Sequence, residues 1–155
     1  MTTTTDSTVS AGEVQTVVAA RRLSGVRSVF IGVGRPSTAA LLARLVHNPD
    51  LVLVYESGTI GAKPEHVPLS IGDGPGARER LGFRGRGPTA VITDKGVLEP
   101  DPDSKELVLV EIHPGVSVDD VRESTGWKLK IAPDVQVTPT PTEQELTALR
   151  TLTSR

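Results

Sequence analysis

Two apolar runs with a helix-forming stretch between them constrain this chain most. Ser28 to Val33 (SVFIGV) is a continuous apolar run, the pattern of a strand buried on both faces. Gly34-Arg35-Pro36-Ser37 then makes a turn, and Pro36 suits a first helical turn, where its missing N–H needs no partner. Leu41, Leu42 and Leu45 follow at helical spacing, so a helix is expected over 37–46. Asn48-Pro49-Asp50 stops it, and Leu51 to Tyr55 (LVLVY) reads as a second buried strand. A strand, a helix and a strand in so short a span predict a right-handed βαβ unit with parallel strands.

The flanking sequence adds elements with local signals. Ser10 and Glu13 have capping-box spacing ahead of Val14, Val17 and Val18, so a helix is expected over 11–22. From Ser57 to Pro88, glycine and proline recur, and only Leu69–Ile71 and Leu81–Phe83 offer apolar anchors, which is unusual inside a compact domain. Strands are expected at 89–93, 96–99 and 106–112, with Asp101-Pro102-Asp103 as a turn. Ser117 can cap a short helix carrying Val118 and Val121 and ended by Gly126. Lys128 to Ile131 alternates like a half-exposed strand, VTPTPT reads as an extended linker, and Thr142 with Glu145 opens a last helix bearing Leu146, Leu149 and Leu152. The organisation expected is a disordered tail over 1–10 and one α/β domain over 11–152. Neither half has enough apolar strands to bury both faces of a sheet, so the segments flanking residue 74 are expected to share one.

Composition narrows the function classes. At 155 residues the chain suits one domain with a core of its own. It has no cysteine, which removes disulfides and thiolate chemistry. A net charge of -2 and few aromatic residues argue against nucleic-acid and anionic-membrane binding. No apolar run reaches the length of a membrane span, and MTTTTDSTVS lacks the apolar core of a signal peptide, so a soluble cytoplasmic protein is expected.

Glu56 is the informative polar residue. It follows the second apolar run directly, at the C-terminal edge of an open α/β sheet, where ligands bind. Gly58 and Gly61 come after it, which lets backbone approach a substrate. A carboxylate there can serve as ribose ligand, general base or nucleophile, or simply as a strand-end charge facing water. Gly32-Val33-Gly34 resembles the start of a dinucleotide fingerprint, but Ser37 holds the third glycine position and Pro36 removes an N–H from the turn. His47 falls at a helix end, His66 in the glycine-rich stretch and His113 before a turn proline, with no pattern of metal ligands around them. Arg78, Arg80, Arg84 and Arg86 read as a solvated basic loop that could also meet ligand phosphates or RNA.

IGVGRPSTAALLARL with DLVLVYESGTIGAKP resembles the N-terminal region of family I CoA-transferase β subunits, of the glutaconate and 3-oxoacid type. GPTAVITDKGVLEPDPDSKELVLVEIHPGVSVDDVRESTG and the PTPTEQEL tail resemble the C-terminal region of the same family. The resemblance implies an α/β fold with a mainly parallel sheet flanked by helices. It places the family's covalent nucleophile on Glu56, with Gly32, Gly34, Ser57, Gly58 and Gly61 as candidate CoA-binding or oxyanion groups. It implies coenzyme A as substrate and covalent intermediate, no resident cofactor or metal, an α subunit as partner in an oligomer, and an acyl-CoA and a small carboxylic acid as ligands. Family members carry a further segment after a sequence like PLSIGDG, whereas here PLSIGDG runs straight into PGARERLGFRG. The resemblance therefore implies an internal deletion with some strands missing, joining a family N-terminal part (11–74) to a C-terminal part (75–152). A CoA-transferase subunit is the first expectation, and a non-catalytic remnant that only folds or associates is the alternative.

Overall fold

The computed structural model describes residues 8–55, 89–104 and 106–154. The first helix, α1 (Ala11–Arg22), starts where the capping box places it: Ser10 Oγ accepts from the Glu13 N–H, and the Glu13 carboxylate accepts from the Ser10 N–H at 2.8 Å. Strand β1 (Ser28–Ile31) leads to α2 (Arg35–Leu42), a π-helical turn (Ala43–His47) and β2 (Val52–Tyr55). The two strands pair parallel, from Ser28 opposite Val52 to Ile31 opposite Tyr55, as the strand-helix-strand pattern predicts.

Two details of this unit differ from expectation. The strands are buried on one face only. Ile31, Leu53 and Tyr55 point into the core, while Phe30 is 70% exposed and Val52 also reaches solvent. Alternation sends successive side chains to opposite faces, and the helices packed on this sheet cover just one of them among the described residues. The helix also runs beyond the expected start, and its last turn is π. The Asn48 N–H donates to Ala43 O at 2.7 Å, a five-residue closure that widens the turn. Leu45, placed on the core stripe by α-helical spacing, is 61% exposed instead. Asn48 fixes the exit by donating from its side chain to Leu23 O and Val26 O.

The remaining strands form a second sheet, in the order β3 (Val91–Ile92), β4 (Gly96–Pro100), β5 (Leu107–Ile112), β6 (Lys130–Val137). The first two pairings are antiparallel and the β5–β6 pairing is parallel, so the α/β architecture has mixed sheets. The single shared sheet expected across residue 74 is not seen: among the described residues the two halves form separate sheets. Helix α1 joins them. Val17 and Ala20 pack with Ile31, Leu42, Leu53 and Leu149 on one side. Val14 and Val18 pack on Val97 on the other. A helix apolar on two sides removes the need for a common sheet.

Short-range signals place the rest. Asp101 Oδ1 accepts from the Asp103 and Ser104 N–H groups, closing the expected turn between β4 and β5. Helix α3 (Val118–Glu123) is capped by Ser117, but it ends before Gly126. Strand β6 is twice the expected length. Its pairing jumps from Ile131 to Gln136 while β5 advances only from Leu109 to Glu111, so the intervening residues, Pro133 among them, need no ladder bond. Helix α4 (Glu143–Thr153) opens with the Thr142–Glu145 capping box and packs on α1 and α2.

Candidate functional site

The C-terminal edge of the β1–β2 pair is the place to which the sequence points. In-register pairing puts Ile31 beside Tyr55, so the Gly32–Gly34 turn leaves the sheet next to the point where β2 ends. Gly34 has φ 88° and a Cβ there would meet nothing within 4 Å, so backbone conformation and not space requires glycine. It is the N-terminal cap of α2, whose first turn holds Arg35, Pro36 and Ser37. First-turn N–H groups lack intrahelical partners and carry the positive end of the helix dipole, which suits an anionic ligand group. Pro36 removes one such donor.

Glu56 is the next residue after Tyr55. It, Ser57, Gly58 and Gly61 lie outside the described residues, as do His66 and the arginine run over 78–86. Gly32 and Gly34 are therefore the sequence-expected site residues with described positions, and both sit at this one edge.

Sequence reasoning missed the groups beneath the edge. Tyr55 turns inward and is 6% exposed, and Ser37 on the facing turn of α2 is 1% exposed. Neither hydroxyl has a hydrogen-bond partner. Ser37 acts on the phenol, but no hydrogen bond joins the two. Burial pushes the Tyr55 phenol up from its ordinary value, opposed by Ser37 and by the Arg44 guanidinium. The signal for Tyr55 was present in strand alternation, since it shares a face with Leu53. For Ser37 the signal was only that it replaced a glycine. Arg35 leans away from the edge, donating to Gln15 Oε1 at 3.0 Å, and Gln15 in turn donates to Ile92 O at 2.9 Å. An open cavity of about 250 Å³ beside Arg35 is lined also by Ser10, Gly12, Glu13 and Thr38.

Glu145 on α4 is a buried carboxylate in an ionic cluster. The Glu145 side chain is 3% exposed. Its oxygens accept from Arg21 Nε and Nη2, both at 2.7 Å, and from the Thr142 N–H and hydroxyl. His47 Nε2 is 3.1 Å from Glu145 Oε1, without the alignment of a hydrogen bond. Burial pushes the Glu145 carboxyl up, but Arg21 and the Thr142 cap outweigh it and hold the pKa at about 2. His113 is fully buried. Nδ1 lies 3.0 Å from Thr138 Oγ1 and Nε2 lies 2.9 Å from Thr93 O, so it ties β6 to the β3–β4 turn. Among the described residues, no group of three or more His, Asp or Glu side chains is placed to hold a metal ion. No helix among them is long and apolar enough to cross a membrane.

No family model matches the chain. Its sequence is 32% identical over 247 aligned positions to the β subunit of 3-oxoadipate CoA-transferase from Pseudomonas knackmussii, covering 96% of this chain and 95% of that one. An alignment longer than this 155-residue chain leaves a long stretch of the relative without a counterpart. The β subunit of glutaconate CoA-transferase from Acidaminococcus fermentans is 46% identical over 66 residues, covering 42% of this chain and 25% of that one. Among solved structures, glutaconate coenzyme A-transferase from the same organism superposes with a TM-score of 0.79 at 21% identity, covering 92% of this chain and 94% of that one. The AibA/AibB decarboxylase superposes at 0.73 with 16% identity, covering 94% and 95%. At these identities the superpositions establish the fold.

Proposed function

Because the chain belongs to the family of CoA-transferase β subunits, we propose that it works with an α subunit to move coenzyme A between an acyl-CoA and a carboxylic acid through Glu56. The observation that carries this reading is the identity to the β subunit of a 3-oxoadipate CoA-transferase along 96% of the chain. The edge geometry supports it, since Glu56 directly follows the parallel strand whose end lies beside the Gly32–Gly34 turn.

The chemistry follows from a carboxylate at that position. Glu56 attacks the thioester carbonyl of the donor acyl-CoA. The carbon–sulfur bond breaks, CoA thiolate leaves, and an acyl-glutamyl anhydride remains. The thiolate attacks the glutamyl carbonyl of the anhydride and expels the donor carboxylate, which leaves CoA on Glu56 as a thioester. The acceptor carboxylate attacks that thioester, a new anhydride forms, and the thiolate then takes the acceptor acyl group and frees Glu56. Each step exchanges one acyl bond for another, so the thioester energy is conserved. The carboxylate is ionised at neutral pH and needs no base. Each tetrahedral intermediate carries an oxyanion, and N–H groups of Gly34, Ser57 and Gly58 are the candidates to receive it. Gly32 and Gly61 keep backbone close to the acyl-CoA, and coenzyme A is substrate and covalent intermediate, with no resident cofactor. The relatives' names point to dicarboxylic acyl groups such as 3-oxoadipate and glutaconate.

Hydroxylamine tests the proposal. With an α subunit and acyl-CoA present, it should convert the enzyme-CoA thioester to a hydroxamate and stop transfer. A chain that forms no hydroxamate is the non-catalytic remnant.

A further inference from the structure

Buried hydroxyls without partners are rare, because each costs about 1–3 kcal/mol of desolvation that nothing offsets. Here two of them face each other, and they join the two segments that form the candidate edge. Tyr55 is the last residue of β2, immediately before Glu56, and Ser37 is in the first turn of α2, three residues after Gly34. Both side chains are more than nine-tenths buried and neither hydroxyl is bonded. Leu41, Leu42 and Leu53 are buried in the same cluster as Tyr55, and Arg44 is the charged group that acts on it. Alanine and phenylalanine would fill these two places at lower desolvation cost, so packing does not call for the hydroxyls.

We infer that Ser37 and Tyr55 are positioning residues, whose hydroxyls bond to each other when acyl-CoA occupies the edge and so fix the end of β2 against the Gly34 turn. This rests on the proposed reading of the edge as the acyl-CoA site. A small movement of the α2 first turn aligns the two groups, and catalytic hydrogen bonds commonly tighten only in the substrate complex. The bond formed there recovers the desolvation already suffered in the free chain, which favours the closed arrangement. Tyr55 faces the helices, and Glu56 is the next residue in the sequence. The pair therefore acts through the backbone and touches no reacting atom.

The chain has a single tyrosine, which gives the inference a private spectroscopic signal. Full-length chain carrying ¹³Cζ-tyrosine is titrated, with an α subunit present, with glutaconyl-CoA and with 3-oxoadipyl-CoA, and CoA bound covalently is read by mass. In wild type the Tyr55 Cζ resonance should move on binding. In Ser37→Ala it should stay, the labelling rate should fall about tenfold, the half-saturating thioester concentration should hold, and the melting temperature should not drop. Tyr55→Phe should show the same rate and melting behaviour. A resonance that moves equally in Ser37→Ala, or a variant that labels at the wild-type rate, overturns the inference. A melting temperature that falls with the rate marks the hydroxyls as structural and overturns it too. If wild type labels but the resonance stays, this inference fails alone. If wild type labels with neither thioester, the proposed function fails and takes this inference with it.

Discussion

Replacing Glu145 by glutamine should destabilise the chain by about 3 kcal/mol at pH 7, and most of that difference should vanish in acid. The magnitude comes from the carboxyl itself. Arg21 and the Thr142 cap lower its pKa from 4.5 to about 2 against burial, and such a drop is worth about 3 kcal/mol at about 1.4 kcal/mol per pKa unit. The side chain is 3% exposed, so solvent screening removes little of this. The folded-state pKa is depressed, so the stabilisation is complete above the unfolded value near 4.5 and is lost as pH falls through 4.5 towards 2. At pH 3 about 1 kcal/mol should remain. The groups facing Glu145 are the Arg21 guanidinium on α1 and the His47 imidazole at the end of the π turn, and both stay in the variant. Arg21 also keeps its bonds to Pro139 O and Thr140 O. Glu13, held at about 2 by Arg150 and the Ser10 N–H, titrates in the same range but is common to both proteins and cancels. Urea unfolding of wild type and Glu145→Gln at pH 7 and pH 3 gives the two differences. Equal midpoints at pH 7, or a difference that does not shrink at pH 3, would refute the reasoning.

Other substitutions test separate parts of the fold. Leu53→Ala, at a fully buried position on β2, should cost about 2–5 kcal/mol in urea unfolding. Gly96→Ala should unfold the β4–β5 pairing, because its Cβ would overlap the Glu111 carbonyl oxygen of the neighbouring backbone; loss of β signal in circular dichroism checks this. His113→Ala should cost about 2–4 kcal/mol by leaving Thr138 Oγ1 and Thr93 O without their partner, and Thr138→Val should cost less because Thr93 O keeps its bond; thermal melts rank the two.

Much of the secondary structure was legible because its signals are local. The capping boxes at Ser10–Glu13 and Thr142–Glu145 start their helices where the spacing places them, and the Asp101 turn forms as its side chain dictates. The parallel pairing of SVFI and VLVY followed from two apolar runs and one helix. What failed depends on distant partners. An apolar run reads as buried on both faces, yet only neighbours decide whether Phe30 is covered. The π closure at Ala43–Asn48 has no side-chain signature, and it moved Leu45 outward. The two apolar stripes of α1 were visible as Val14, Val17 and Val18, but nothing short-range said that they would separate two sheets. At the candidate edge, Gly34 announced itself as a turn, whereas the Ser37–Tyr55 pair exists only once α2 folds onto β2.

The central claim is that CoA becomes attached to Glu56, and the mass of the labelled chain tests it most directly. Wild type is incubated with an α subunit and 3-oxoadipyl-CoA or glutaconyl-CoA, and Glu56→Gln is treated alongside. The account predicts an increment of one CoA on wild type, mapped to the peptide containing Glu56, and none on Glu56→Gln, which keeps the fold because the amide is nearly isosteric. A CoA increment that persists in Glu56→Gln, or maps to another residue, contradicts it.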